Sequence, residues 1–324
     1  MSHHAIQFLI FVLFGLTSLC TGYTARRRRW LHEDRSRQIH FHTIVWVWST
    51  ALLLSLWRIP PRAENLWLLA IQPVLMATTA YGMIPLARLI GCTRDQTGIM
   101  AIAAGMSNNG FALGAYLCYT LVKPADEALA YGLAFVSIMN ASMVLLIYPL
   151  ARHYGQPPKR DQSVASLVFH SYIDPRAAPM YAAVTGVVLA VMGAPFPEAI
   201  ARWHLIDILF YLGAFGGYFG IGLRLRLGDS IGYLKHHCLL AVMKFAAAPA
   251  IVASVLWLIS RTPWPLGTTA IQVAHIESAT PTGIITVMLA NLFHLDTRLA
   301  SVAWVWNTLF FIAVPLPIIF WIMG

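Results

Sequence analysis

Charge is what this sequence has least of. Only 11% of its 324 residues are charged, against about 25% in soluble domains. Acidic residues are the scarcer sign, 13 Asp and Glu against 22 Lys and Arg. With 58% hydrophobic residues and a mean hydropathy of +0.67, the composition excludes an ordinary soluble domain and reads as an integral membrane protein. The net charge of +9 does not point to nucleic acid. Most of the basic residues flank apolar runs, where they set topology. Cysteine is scarce too. Cys20, Cys92, Cys118 and Cys238 have spacings that fit neither a metal site nor a disulfide framework. Each reads as a small buried apolar residue. The first apolar stretch is followed, not preceded, by its basic cluster at 26–29, the reverse of a cleavable signal. No metal-ligand cluster and no nucleophile–base constellation stands out, so neither an enzyme nor a cofactor is expected.

What is present is a series of long apolar runs. A membrane span needs about 20 such residues. Ten candidates occur, near 6–24, 39–58, 65–90, 98–122, 127–151, 177–194, 205–226, 231–259, 267–293 and 299–323. The one long connection, 152–176, carries Val164, Leu167, Val168 and Tyr172 at helical spacing. It reads either as a linker or as a surface helix. Numbering the connections alternately puts sixteen basic residues on one side and five on the other, with Lys244 inside a span. The richer side is expected to be cytoplasmic. Both termini then lie outside, in a multi-pass protein of the cell membrane, a bacterial inner membrane by this reading.

Two of the runs are interrupted by small and polar residues. One reads Gly105-Met106-Ser107-Asn108-Asn109-Gly110-Phe111, the other Glu277-Ser278-Ala279-Thr280-Pro281-Thr282-Gly283. Lipid offers no partner to backbone groups freed at depth, so such breaks belong where protein or a wet cavity replaces it. The breaks are about 170 positions apart, and matching breaks in two halves point to a transporter site. Asn140 and Asn307, in the fifth and tenth runs, repeat at a similar offset. The expected fold is therefore an all-α membrane protein of ten helices in two inverted five-helix repeats, 1–151 and 177–324, joined by a cytoplasmic linker at 152–176. Helices 4 and 9 are broken and crossed.

Several stretches resemble the auxin efflux carrier family of permeases. In the first half these are Asn109-Gly110-Phe111 with Leu113-Gly114, then Leu129-Ala130-Tyr131-Gly132 and Asn140. In the second half they are Glu277-Ser278-Ala279-Thr280-Pro281, Leu289-Ala290, Leu295-Asp296 and Leu299-Ala300-Ser301. The first break departs from the family pattern in having no proline, and Arg224 and Arg226 stand where the family is usually apolar or hydroxylic. The resemblance implies a fold like that of bile-acid sodium symporters and sodium–proton antiporters, with a panel domain and a core domain. It also implies transport of small organic anions such as carboxylates or indole acids.

The residues themselves suggest the chemistry. Ser107, Asn108, Asn109 and Gly110 at the first break, and Thr280, Pro281 and Thr282 at the second, are expected to bind substrate. Pro281 removes a backbone donor and frees carbonyls upstream. The half-helices that follow each break offer free N–H groups and a positive pole to an anion. Charges at depth are costly and are functional candidates by default. Lys244 is read as an anion anchor or a coupling group, against a structural pair with Glu277 or a snorkelling side chain. Gln72 is its counterpart in the first half. Glu277, Lys244 and His275 are the candidates for coupling or gating. Asn140 and Asn307 are expected to support the breaks by hydrogen bonding unwound backbone. The partners this admits are an organic anion, membrane lipid, a proton and a second copy of the chain. The leading function is a permease working by alternating access. A bile-acid-type sodium symporter and a non-transporting receptor or scaffold are the competing readings.

Overall fold

Apolar runs of this length keep their backbone paired by coiling into helices. The computed structural model describes residues 3–58, 65–109, 113–155, 169, 172–225 and 232–323, and among them every regular element is helical. In chain order they are α1 (His3–Arg27), α2 (Arg35–Arg58), α3 (Asn65–Leu89), α4 (Arg94–Gly105), α5 (Gly114–Leu121), α6 (Ala125–Ser137) and α7 (139–155). There follow α8 (Ala178–Val191), α9 (Glu198–Arg202), α10 (Leu205–Gly222), α11 (Leu234–Ile259), α12 (Thr268–Ser278), α13 (Ile285–Leu292) and α14 (Thr297–Met323). Among the described residues four helices are long and apolar enough to cross a membrane: α2, α3 from Trp67 onward, α11 and α14. The outward surface is correspondingly apolar, with Leu13, Trp46, Val188, Leu212, Trp257 and Ile318 all exposed.

Local chemistry sets the helix ends. At the start of α4, Gln96 Oε1 reaches back to accept from the Thr93 backbone N–H at 3.2 Å, half of a capping box. Asp296 caps α14 by accepting from the N–H groups of Arg298 and Leu299, at 3.0 and 2.8 Å. Prolines 124 and 197 stand just before α6 and α9. Among the described residues three helices contain a π-helical segment: Thr43–Trp48 in α2, Met143–Ile147 in α7 and Met243–Ala247 in α11. Such segments are rare and recur at functional sites.

The helices sort into two groups. In one, α8 packs along α2, while α10 packs on α1 and α2. The other contains α3 to α7 and α11 to α14, assembled around the two interruptions. The groups meet mainly where α13 touches α2 and α10, and where α8 touches the start of α7. Contacts between residues distant in sequence also define two ends. At one end Arg26 Nη2 donates to Leu225 O at 2.8 Å, Arg94 donates to His153 O, Arg152 pairs with Asp174, and Arg224 donates to Thr297 Oγ1 at 3.3 Å. At the other end Trp57 Nε1 donates to Ala194 O at 3.0 Å, and Trp67 Nε1 to Trp264 O at 2.9 Å. Arg26, Arg94, Arg152 and Arg224 thus share an end.

Two apolar layers fill the second group. One holds Ile99 to Ala104 of α4 together with Ile285 to Leu292 of α13. The other holds Leu117 and Cys118 of α5 together with Ala270 to Ile276 of α12. Each interrupted run therefore contributes one half to each layer, and the interruptions lie between the layers. The cysteines differ from expectation. Cys118 is buried, but Cys20 and Cys238 are exposed and Cys92 is partly so. Their small apolar side chains are tolerated on an outward apolar surface as readily as in a core. The connection read as either a linker or a surface helix falls largely on 156–168, 170 and 171, outside the described residues.

Candidate functional site

Ending a helix strands its last four carbonyls and, in the next helix, its first four N–H groups. Residues 106–109 and 279–284 do this at depth, so every freed group needs a partner. They find partners chiefly in each other. Ser107 and Thr282 face one another as an antiparallel bridge. On either side of it, Gly283 N–H donates to Met106 O at 3.0 Å and Asn108 N–H donates to Pro281 O at 2.7 Å. The approach is close enough that a Cβ on Gly283 would come within 2.7 Å of Ser107 O, which only glycine avoids. Two unwound stretches that lipid could not solvate thus satisfy each other through one antiparallel bridge.

Side chains complete the pairing. At the end of α4, Met106 N–H closes on Ile102 O at 2.8 Å, and the Thr282 hydroxyl donates to Ala103 O at 3.0 Å. Lys244 Nζ donates to Ala104 O at 3.2 Å, to Met106 O at 3.4 Å and to Ser107 Oγ. The ammonium uses its three N–H groups on three neutral oxygens at the negative pole of a half-helix, where a cation is favoured. Lys244 is fully buried, in the π segment of α11. No ion pair between Lys244 and Glu277 occurs among the described residues. The structure therefore replaces the charge pair considered from the sequence with a backbone cap.

Glu277, the last acidic residue before the second break, is buried and lies over the start of α5. A Cβ on Gly114 would sit 2.1 Å from its Oε2 and 2.8 Å from its Oε1. This places a carboxylate at the positive pole of α5, the position the sequence suggested for a substrate anion. The two buried charges of the second half thus address opposite poles of the first break, Lys244 the upstream one and Glu277 the downstream one.

The second break is closed by neutral groups. The Thr280 hydroxyl donates to Asn109 Oδ1 at 2.9 Å and lies 2.8 Å from Glu277 O. Asn307 Oδ1 accepts from Thr282 N–H at 2.8 Å, across from α14. Its amide nitrogen and the Thr286 hydroxyl are buried without a hydrogen-bond partner among the described residues.

Of the residues singled out from the sequence, the structure brings together Ser107, Asn108, Asn109, Thr280, Pro281, Thr282, Lys244, Glu277 and Asn307. Ser107 and Asn109 are buried, while Asn108 keeps partial exposure. Gly110 lies outside the described residues, as does the side chain of Asn140 on α7. Gln72, on α3, is buried with Oε1 unpartnered. His275 is partly exposed, and the contact at its carbonyl is local, from Ser278 Oγ at 2.7 Å.

A second buried polar cluster escaped the sequence reading. Asn291 Nδ2, on α13, donates to Ser36 Oγ at 3.0 Å and approaches His40 Nδ1 at 3.4 Å. Ser36 Oγ donates to Gly220 O at 2.7 Å, and His40 Nε2 lies 3.3 Å from Gly217 O. This network ties α13 to α2 and α10, where the two helix groups touch. Its only signal is Ser36 and His40 at helical spacing, with an asparagine in an otherwise apolar run. Neither a protein-family model nor a curated protein matches this chain.

Proposed function

We propose that this protein is a secondary transporter of the auxin-efflux-carrier type. It moves a small organic anion across a cell membrane by alternating access, with its site at the crossing of the two broken helices. The observation that carries this reading is the antiparallel pairing of Ser107 with Thr282 between two apolar layers. A membrane chain gives up helical hydrogen bonds at depth only where protein or a wet cavity makes up the loss. Paired breaks in equivalent places of two halves are the arrangement by which transporters build a midplane site.

The remaining parts take roles in this scheme. Two five-helix repeats of inverted topology, 1–151 and 177–324, account for half-helices that share layers crosswise. The α1, α2, α8 and α10 group acts as the panel against which the crossover group rocks. Asn108, the partly exposed polar side chain at the crossing, meets the substrate, and the positive charge of Lys244 beneath it favours an anion. The arginine-rich end is cytoplasmic by the positive-inside rule, and both termini are outside. A sodium-symporter reading is weaker here, because oxygens at the end of α4 that would ligate sodium already receive Lys244.

The test begins with a thermal-shift screen of small carboxylates, amino acids and indole acids against the purified protein. Counterflow in proteoliposomes follows with those that stabilise it. The expected result is exchange of an unaltered solute. A product of different mass makes the protein an enzyme. Specific binding without exchange makes it a receptor.

A further inference from the structure

The ammonium of Lys244 is held in the way a bound cation is held. Its three acceptors are two main-chain carbonyls from the end of α4 and one hydroxyl, all buried, with no carboxylate within ion-pair distance among the described residues. Desolvating an ammonium without a counter-charge is costly. Three hydrogen bonds and the negative pole of α4 offset that cost. We propose that Lys244 is a tethered cation, filling a monovalent-cation site made by Ala104 O, Met106 O and Ser107 Oγ, so that the crossing assembles without any cation from solution.

The geometry explains why a covalent cation suits this place. Ala104 O and Met106 O lie where α4 ends, the second also accepting from Gly283 N–H, and Ser107 is the residue that bridges to Thr282. A positive charge here therefore holds both the end of the half-helix and the first residue of the crossing. The π segment of α11 carries the lysine at this depth. Deleting the side chain to Cβ would leave the three oxygens lining a space formerly filled by three methylenes and the ammonium. That space is suited to ammonium, methylammonium, potassium or sodium, and too small for choline.

The proposal is tested by stability and needs no transported substrate. Thermal unfolding of the purified full-length protein is followed in chloride salts of sodium, potassium, ammonium, methylammonium and choline at constant ionic strength. The wild type is expected to have the same midpoint in all five. Lys244→Ala is expected to unfold at lower temperature in choline and to recover at least half of the loss, saturably, in one or more of the small cations. Lys244→Met, which fills the space without charge, is expected to be destabilised and to show no recovery. Recovery of Lys244→Ala that is equal in choline, or absent in every salt, overturns the proposal, as does a Lys244→Met variant as stable as the wild type. If Lys244→Ala yields no folded protein, Lys244→Arg and Lys244→Gln decide. The charge-retaining variant must be folded and indifferent to cation while the neutral one is impaired, and equal behaviour of the two overturns the proposal.

Discussion

The two interruptions do the same job by different means. At 106–113 there is no proline, and the poles of the flanking half-helices are met by charges from the other half of the chain. Lys244 lies at the end of α4 and Glu277 at the start of α5. At 279–284 proline breaks the helix, and the freed groups are met by the amide of Asn307 and the hydroxyl of Thr280. A helix that ends without proline keeps every backbone group it frees, whereas proline deletes one donor in advance. The proline-free break therefore has more freed groups to satisfy, and it is the one that uses titratable side chains. The difference predicts unequal sensitivity to substitution.

The largest effect is expected at Lys244. Lys244→Gln shortens the side chain and removes a charged donor, leaving buried carbonyls under-satisfied. A loss of about 3 kcal/mol is expected, since hydrogen bonds to charged groups are worth about 1.5–3 kcal/mol. Asn307→Leu tests the neutral break. It strands the Thr282 N–H alone, and a loss of about 1–2 kcal/mol is expected for one buried donor. Thr280→Val should cost least, about 1 kcal/mol for one neutral hydroxyl. Chaotrope-induced unfolding in a fixed detergent ranks the three. An Asn307→Leu loss equal to that of Lys244→Gln would remove the distinction between the breaks.

Much of this site can be read from the sequence, and the reason is physical. A run such as Ser107-Asn108-Asn109 or Thr280-Pro281-Thr282 inside apolar sequence cannot be mistaken for an ordinary span. Lys244 and Glu277 stand out because charge at depth is rare. The partners could not be read in this way. Nothing in the residue types says that Lys244 seeks the carbonyls of Ala104 and Met106, because main-chain acceptors carry no sequence signature. The repeat offset pairs Lys244 with Gln72, yet one is fully engaged and the other has a buried oxygen without a partner. Glu277 shows a further limit. A half-helix N-terminus reads as an anion site, but only the folded chain shows that Glu277 already lies against that pole beside Gly114. The Ser36–His40–Asn291 network was hidden for the opposite reason, since single serines, histidines and asparagines in helices are too common to single out.

The central claim is that the two breaks cross and pair, and a disulfide tests it directly. Ser107 and Thr282 are bridge partners, and residues opposite one another in an antiparallel pair have Cα atoms about 4.5–5.5 Å apart, within disulfide range. In a chain with the four native cysteines replaced, Ser107→Cys with Thr282→Cys is expected to oxidise almost completely under a membrane-permeant oxidant. Peptide mapping should recover the two break segments as one linked species. Free thiols at both positions in folded, oxidised protein would contradict the crossing, and with it the site on which the transport reading rests.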